Sequence, residues 1–271
     1  MSQQFLPCIR WAGSKRSVLQ RLHDMIPSEF DRYVEPFCGS ACLFFRIDVN
    51  SAILSDLNPE LINAYRMIRR DVDGVVDSLS RMSESKVEYY RLRGLNPAML
   101  SDFDRATRFL YLNHFCFNGI YRTNKMGLFN VPFSEDRLNT PIPFDRIRLA
   151  SKKLQNASIR QSDFEDVVNL AEPNDFYYLD PPYALQNRRI FVDYGSDTFS
   201  FSDVARLVNA MRHLDAVGAY FLVSYAYSNE VLGYFSEWNI KKIRLRRHIS
   251  GFASGRRHAY EICVTNYTNG N

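Results

Sequence analysis

Short β-branched and aromatic runs alternate with helically spaced apolar residues along this chain, and that alternation restricts its fold more than any other feature. Tyr33-Val34 leads into Glu35-Pro36-Phe37-Cys38-Gly39-Ser40-Ala41, and Ala52-Ile53-Leu54 leads into Ser55-Asp56-Leu57-Asn58. Each is a brief strand signal ended by turn residues and followed by a helical pattern. Before them, Val18, Leu19, Leu22, Met25 and Ile26 predict a helix closed by Pro27. Strand signals return at Ala157-Ser158-Ile159, at Phe176-Tyr177-Tyr178-Leu179 and at Tyr220-Phe221-Leu222-Val223, the last preceded by a helix near Val204 to Met211. Strands separated by helices cannot close as tight hairpins, so the pattern predicts an α/β domain with a parallel sheet.

One stretch breaks the rhythm. From about Leu61 to Leu112 the spacing is helical throughout, with Val72, Val75, Val76, Leu79 and Met82 on one face and Phe103, Ala106, Phe109 and Leu110 on another. A loop rich in Asn, Gly and Pro follows, from Asn113 to Pro143. For a chain of 271 residues, length alone leaves open one large domain or a core with a substantial insertion. The patterning predicts the second, with 1–60 and 157–271 as the core and 61–156 as a helical insertion. Near the end, Ile240 to Arg246 and Tyr260 to Val264 alternate at period two around a loop holding Gly251 and Gly255, which predicts an antiparallel hairpin.

A hydrophobic content of 46% is enough to build a core and argues against disorder. No apolar run approaches the ~20 residues needed to span a bilayer, and Met1-Ser2-Gln3-Gln4 lacks a signal-peptide pattern, so a soluble, cytoplasmic protein is expected. The five cysteines, Cys8, Cys38, Cys42, Cys116 and Cys263, are odd in number and show no zinc-ligand spacing, which predicts buried reduced thiols. The net charge of +4 is modest, but Lys241, Lys242, Arg244, Arg246, Arg247, Arg256 and Arg257 follow one another with no acidic residue between them. Such a run is a candidate phosphate-binding surface, or a charged edge that keeps strands from aggregating.

The chemistry is concentrated in Asp180-Pro181-Pro182-Tyr183, directly after the strand ending at Leu179. In an open α/β sheet the carboxyl ends of the strands form the ligand crevice, so the Asp180 carboxylate should face it. The two prolines fix the backbone and direct a carbonyl, that of Pro181, into the same space. A carboxylate beside a carbonyl makes a pair of acceptors for an NH2 group. An exocyclic amine on a base is a poor nucleophile because its lone pair is delocalised into the ring; gripping its hydrogens out of plane localises that pair, and Tyr183 offers a face for the base. Upstream, the Gly39 turn lets a ligand approach the backbone, and Asp56, at the end of the next strand, is placed to accept ribose hydroxyls. Neither a dinucleotide fingerprint nor a phosphate loop is present, since Gly13-Ser14-Lys15 lacks the earlier glycine and the strand.

Taken in order, Arg10-Trp11-Ala12-Gly13-Ser14-Lys15, Glu35-Pro36-Phe37-Cys38-Gly39-Ser40, Ser55-Asp56-Leu57-Asn58 and Asp180-Pro181-Pro182-Tyr183 resemble the motifs of the Dam-type, alpha-group (D12 class) DNA adenine-N6 methyltransferases, over nearly the whole chain. The resemblance implies a Rossmann-like methyltransferase sheet with an inserted helical target-recognition domain and a C-terminal antiparallel hairpin. It implies S-adenosyl-L-methionine as methyl donor with no metal, with Trp11, Lys15, Asp56 and Asp180 lining its site, Phe37 and Gly39 bordering the methionine end, and Asp163-Phe164 flanking the adenine. The catalytic set it implies is Asp180, Pro181, Pro182 and Tyr183. Two positions depart from the pattern: Ser14 and Ala41 stand where the family often has glycine.

The same resemblance implies double-stranded DNA as partner, with a GATC-like site. Asn118-Gly119-Ile120-Tyr121-Arg122 and Phe129-Asn130-Val131-Pro132-Phe133 are similar to the recognition loop of GATC-specific members. Arginine bonds bidentately to guanine O6 and N7, which makes Arg122 the candidate base reader, supported by Asn118, Asn130 and Pro132. Phe117 is the candidate wedge when the target base flips out of the stack. Arg247, Arg256 and Arg257 are expected on the phosphates. A monomer is expected, with a cognate restriction endonuclease as a candidate partner. Two other readings fit the same motifs: an amino-methyltransferase acting on RNA, and a DNA-binding relative that keeps the fold with impaired catalysis.

Overall fold

The computed structural model describes residues 6–124, 126–183, 199–245 and 259–268. Its strands are β1 (Tyr33–Glu35), β2 (Ala52–Asp56), β3 (Ala157–Gln161), β4 (Phe176–Leu179), β5 (Tyr220–Ala226), β6 (Asn239–Leu245) and β7 (Ala259–Thr265). They form one sheet in the order β3-β2-β1-β4-β5-β7-β6. The first five in that order run parallel, and β7 and β6 close the edge antiparallel.

Side chains alternate across a strand, and here the two faces feed two separate cores. Tyr33, Leu54, Phe176 and Tyr178 point into one, whereas Val34, Ile53, Tyr177 and Leu179 point into the other. Every residue of β1 and β4 is buried, as parallel strands covered by helices on both sides must be. The first core takes α1 (Leu19–His23), α2 (Cys42–Arg46), α3 (Pro59–Arg70), α4 (Val72–Ser80), α5 (Lys86–Gly94), α6 (Asp102–Phe115) and α7 (Phe144–Leu154). The second takes α8 (Phe164–Val168), α9 (Phe201–Val217) and α10 (Asn229–Tyr234). No helix among the described residues is long and apolar enough to cross a membrane.

The doubly wound α/β sheet, the helical stretch after β2 and the antiparallel pairing of the last two strands follow the sequence pattern. Three details differ. The helix expected over Val18 to Ile26 is a 3-10 turn at Lys15–Ser17 followed by the short α1, and the carbonyl of Met25 instead accepts a hydrogen bond from the Tyr267 hydroxyl at 2.8 Å. The expected loop from Asn113 begins as the last turn of α6 and then folds on itself, with Cys116 bridging Phe133 and Thr123 bridging Phe129. Helix α7, unassigned from the sequence, buries Ile147, Ala150 and Leu154 at helical spacing. All five cysteines are free, and four are buried.

Candidate active site

The strand order reverses between β1 and β4, because the chain winds outward from β1 to β3 and then returns to the other side of β1. Ligands of such sheets bind in the crevice beyond the strand ends at that reversal. Glu35 ends β1 and Asp180 follows β4, so two carboxyl groups stand at the strand ends beside the crevice, that of Glu35 buried.

Lys15 reaches Asp180 from the N-terminal turn and is itself buried. Its Nζ lies 2.9 Å from Asp180 Oδ1, 3.5 Å from Glu261 Oε1 and 3.3 Å from the Gly13 carbonyl, and it donates to the Tyr183 hydroxyl at 3.0 Å. Tyr183 donates in turn to Glu261 Oε1 and packs its ring edge-on against Tyr225. Burial pushes the Asp180 carboxyl up to about 6, opposed by Lys15 and reinforced by Glu261. Burial disfavours the Lys15 ammonium, yet Asp180, Tyr183 and Glu261 together hold its pKa above the usual lysine value. Burial also pushes Glu35 well above the carboxylate range, and Tyr33 donates to its Oε2 at 2.9 Å. An ionisable acceptor tuned close to neutrality, a buried cation and an aromatic ring therefore meet at one point. Pro181 is buried and Pro182 exposed.

Beside this cluster the turn after β1 is built on glycine. Gly39 has φ +45°, and a Cβ there would meet Trp11 Cδ1 at 2.6 Å, so both backbone and contact exclude a side chain. The Gly39 N–H donates to Asp56 Oδ2 at 3.0 Å, and the Asn58 N–H donates to Asp56 Oδ1 at 2.9 Å. The carboxylate thus ties the first turn to the second, and each oxygen keeps a lone pair for a further donor. Burial raises the Asp56 pKa, with the N–H bonds of Asn58, Gly39 and Leu57 opposing. Trp11 continues from Gly39 into the insertion, stacking on Tyr121 at 5.6 Å and 19°.

On the other side of β1, Phe37 stacks on Phe164 at 5.1 Å. Asp163 caps α8 by accepting the Glu165 N–H at 3.0 Å, and Arg206 donates to the same Oδ1 at 2.7 Å. The Arg206 guanidinium also lies 4.8 Å from the Phe164 ring centroid.

The loop after α6 forms a second cluster. Phe117 is 51% exposed, Asn118 adopts φ 55° and Gly119 φ 64°. Arg122 Nε donates to Asn130 Oδ1 at 2.8 Å, the Asn130 N–H returns to the Arg122 carbonyl, and Pro132 accepts from the Phe117 N–H. Tyr121, in the same loop, joins it to the crevice through Trp11. Arg247, Arg256 and Arg257 lie outside the described residues.

The model of the D12 class N6 adenine-specific DNA methyltransferases matches residues 11–249. A type II methyltransferase of Lactococcus lactis subsp. cremoris, M1.LlaDCHI, is 33% identical over 97% of this chain and 96% of its own length. The chain belongs to the D12 class of N6 adenine-specific DNA methyltransferases. It is also similar to the type II methyltransferase M.MjaIII of Methanocaldococcus jannaschii, at 32% identity over 96% of this chain and 99% of that protein. The retron Ec67 DNA adenine methylase of Escherichia coli is 29% identical over 94% of this chain and 89% of that one.

The two departures from the D12 pattern differ physically. Ser14 sits at φ −48° and ψ 127°, open to any residue, and its Oγ lies 3.0 Å from Cys42 Sγ. Ala41 adopts φ 49° and ψ 42°, a left-handed conformation that costs a residue with a Cβ about 1 kcal/mol. Sequence reasoning passed over Glu35, Arg206 and Glu261 at this methyltransferase's crevice. For Glu261 a signal existed: it shares a strand face with Cys263, and a charge on a face otherwise bound for the core needs a partner.

Proposed function

We propose that this enzyme transfers a methyl group from S-adenosyl-L-methionine to N6 of an adenine flipped out of duplex DNA, within a GATC-like site. The observation that carries the reading is Asp180 at the sheet reversal, half-buried, tuned to about 6 and flanked by Lys15 and Tyr183. The chain's own residues suit that donor. The side-chain-free turn at Gly39 admits close approach, the spare lone pairs of Asp56 suit ribose hydroxyls, and Phe37, Asp163 and Phe164 offer an aromatic wall beside a carboxylate for an adenine. Trp11 and Lys15 complete the set assigned to it. When bound, the donor supplies a methyl on a sulfonium that departs as a neutral thioether, so the carbon–sulfur bond breaks as the carbon–nitrogen bond forms.

Asp180 accepts a hydrogen bond from the target amine, the Pro181 carbonyl takes the second hydrogen, and the nitrogen lone pair is freed from the ring and aimed. Pro182 stiffens the turn that presents them. Tyr183 stacks on the flipped base, and Lys15 keeps Asp180 from being fully protonated. After transfer N6 carries one proton too many, which is lost to solvent.

Residues 61–156 serve as the DNA-reading insertion on a core of 1–60 and 157–271. Arg122 reads a guanine, with Asn130 holding its guanidinium. Asn118 and Pro132 shape the loop, Phe117 fills the gap left by the flipped base, and Arg247, Arg256 and Arg257 follow the phosphates. The enzyme acts as a monomer, and the likeness to type II methyltransferases supports a place in restriction–modification beside a cognate endonuclease. The test is transfer of tritium from labelled S-adenosyl-L-methionine to plasmid DNA grown without methylation. Label should appear at N6 of adenine with the native chain and vanish with Asp180→Ala; equal labelling by both would overturn the assignment.

A further inference from the structure

Glu261 lies inside the sheet, paired with Ala226 of β5 and Ile243 of β6, and its side chain is only 7% exposed. A carboxylate so placed needs strong partners, because the penalty for burying a charge is offset only by close, hydrogen-bonded pairing. Its Oε1 takes the Tyr183 hydroxyl and stands 3.5 Å from Lys15 Nζ. Lys15 is therefore held between two carboxylates, nearer to Asp180 at 2.9 Å. Its three donors already go to Asp180, Tyr183 and the Gly13 carbonyl. An amine entering the crevice competes with Lys15 for Asp180 Oδ1. With Asp180 alone, displacing the ammonium would leave a buried cation unpaired.

We propose that Glu261 is the positioning residue of this site: it fixes the Tyr183 ring through the phenol and supplies the carboxylate onto which Lys15 shifts when the target amine takes its place on Asp180. This rests on the reading of Asp180 as the amine acceptor. The Asp180 charge also bears on Glu35 of β1, Tyr178 of β4, Tyr183 after β4 and Cys263 of β7. Burial raises the pKa of each, the three hydroxyl and thiol groups away from neutrality and Glu35 toward its neutral form. Lys15 and Glu261 are thus the charges that set the state of Asp180.

The experiment compares native chain, Glu261→Gln and Glu261→Asp in single-turnover methylation of unmethylated plasmid DNA by tritiated S-adenosyl-L-methionine, across pH, with circular dichroism as the check of folding. Glutamine keeps a hydrogen-bond partner for Tyr183 but removes the charge. It should lower the rate at saturating DNA by about tenfold or more, leave the DNA concentration for half-maximal rate within about twofold, and move the acid limb about one unit lower. Aspartate keeps the charge but withdraws from the phenol, so the acid limb should stay and the half-saturating DNA concentration should rise several-fold. A Glu261→Gln chain with native rate and an unmoved acid limb overturns the proposal, as does an aspartate variant that shifts the limb as glutamine does. If the glutamine variant fails to fold, the aspartate profile decides. A native chain that transfers no label would remove the reading of Asp180 itself, and Glu261 with it; an active native chain with an indifferent glutamine variant removes Glu261 alone.

Discussion

Lowering the pH from about 7 to about 5 should slow methyl transfer roughly tenfold through Asp180. Burial pushes this carboxyl up to about 6 against the pull of Lys15, and Glu261 adds to the rise. A group titrating there is about nine-tenths ionised near pH 7 and about one-tenth ionised near pH 5, whereas an ordinary aspartate would stay almost fully ionised over that range. Because the carboxylate is a much stronger acceptor for the amine than the neutral carboxyl, kcat/KM for DNA, which reports the free enzyme, should fall nearly in proportion. The assay is tritium transfer at saturating donor and constant ionic strength, since phosphate contacts weaken with salt, with folding verified at each pH. Asp180→Asn, which keeps an uncharged acceptor oxygen, should be slowed at every pH and should lose the acid limb. A profile flat down to about pH 5 would refute the reasoning. The same shift bears on stability. Asp180 has a folded value above its unfolded one, so its contribution is fully present below about pH 4 and is lost as the pH rises through about 6. The rise corresponds to about 3 kcal/mol that the ionised group costs the fold near neutrality.

Three substitutions extend the account. Gly39→Ala forces a Cβ to within 2.6 Å of Trp11 at φ +45°, and should lower stability by about 2 kcal/mol and weaken donor binding; thermal unfolding and calorimetric titration with S-adenosyl-L-methionine check both. Ala41→Gly relieves the left-handed strain, offset in part by the greater freedom of glycine in the unfolded chain, and should leave stability unchanged or raise it by up to about 1 kcal/mol, read as the urea midpoint. Arg122→Ala should relax one guanine position of the recognised site by about 1–3 kcal/mol while methylation continues, and a motif with all positions intact in sequencing would remove Arg122 as reader.

The sheet was legible because its information is local. The alternation at Tyr33-Val34 and at Phe176 to Leu179 feeds two cores, so those strands had to lie inside a helix-covered sheet. The placement of Asp180, Asp56 and Gly39 at or just beyond strand ends was legible because apolar runs closed by turn residues mark those ends. Glu261 was hidden, since its partner Tyr183 follows a different strand and the two meet only through the β5–β7 pairing of Ala226 with Glu261. Arg206 was hidden for the same reason: the turn of α9 that carries it meets Asp163 and Phe164 only after α8 folds back. Within the basic run, Lys242 lies 3.5 Å and 4.3 Å from the ring centroids of Tyr227 and Tyr260, contacts no charge count reveals. Helix α7 went unassigned because Pro143 precedes it and only Ile147, Ala150, Ser151 and Leu154 are buried, a pattern shared by many short polar segments.

The most direct test of the central claim is to express the chain in a host devoid of DNA methylation and map N6-methyladenine across the genome by single-molecule sequencing. One motif, GATC-like, should be modified throughout the genome, with no signal from Asp180→Ala. A flat map with folded native protein present would contradict that claim.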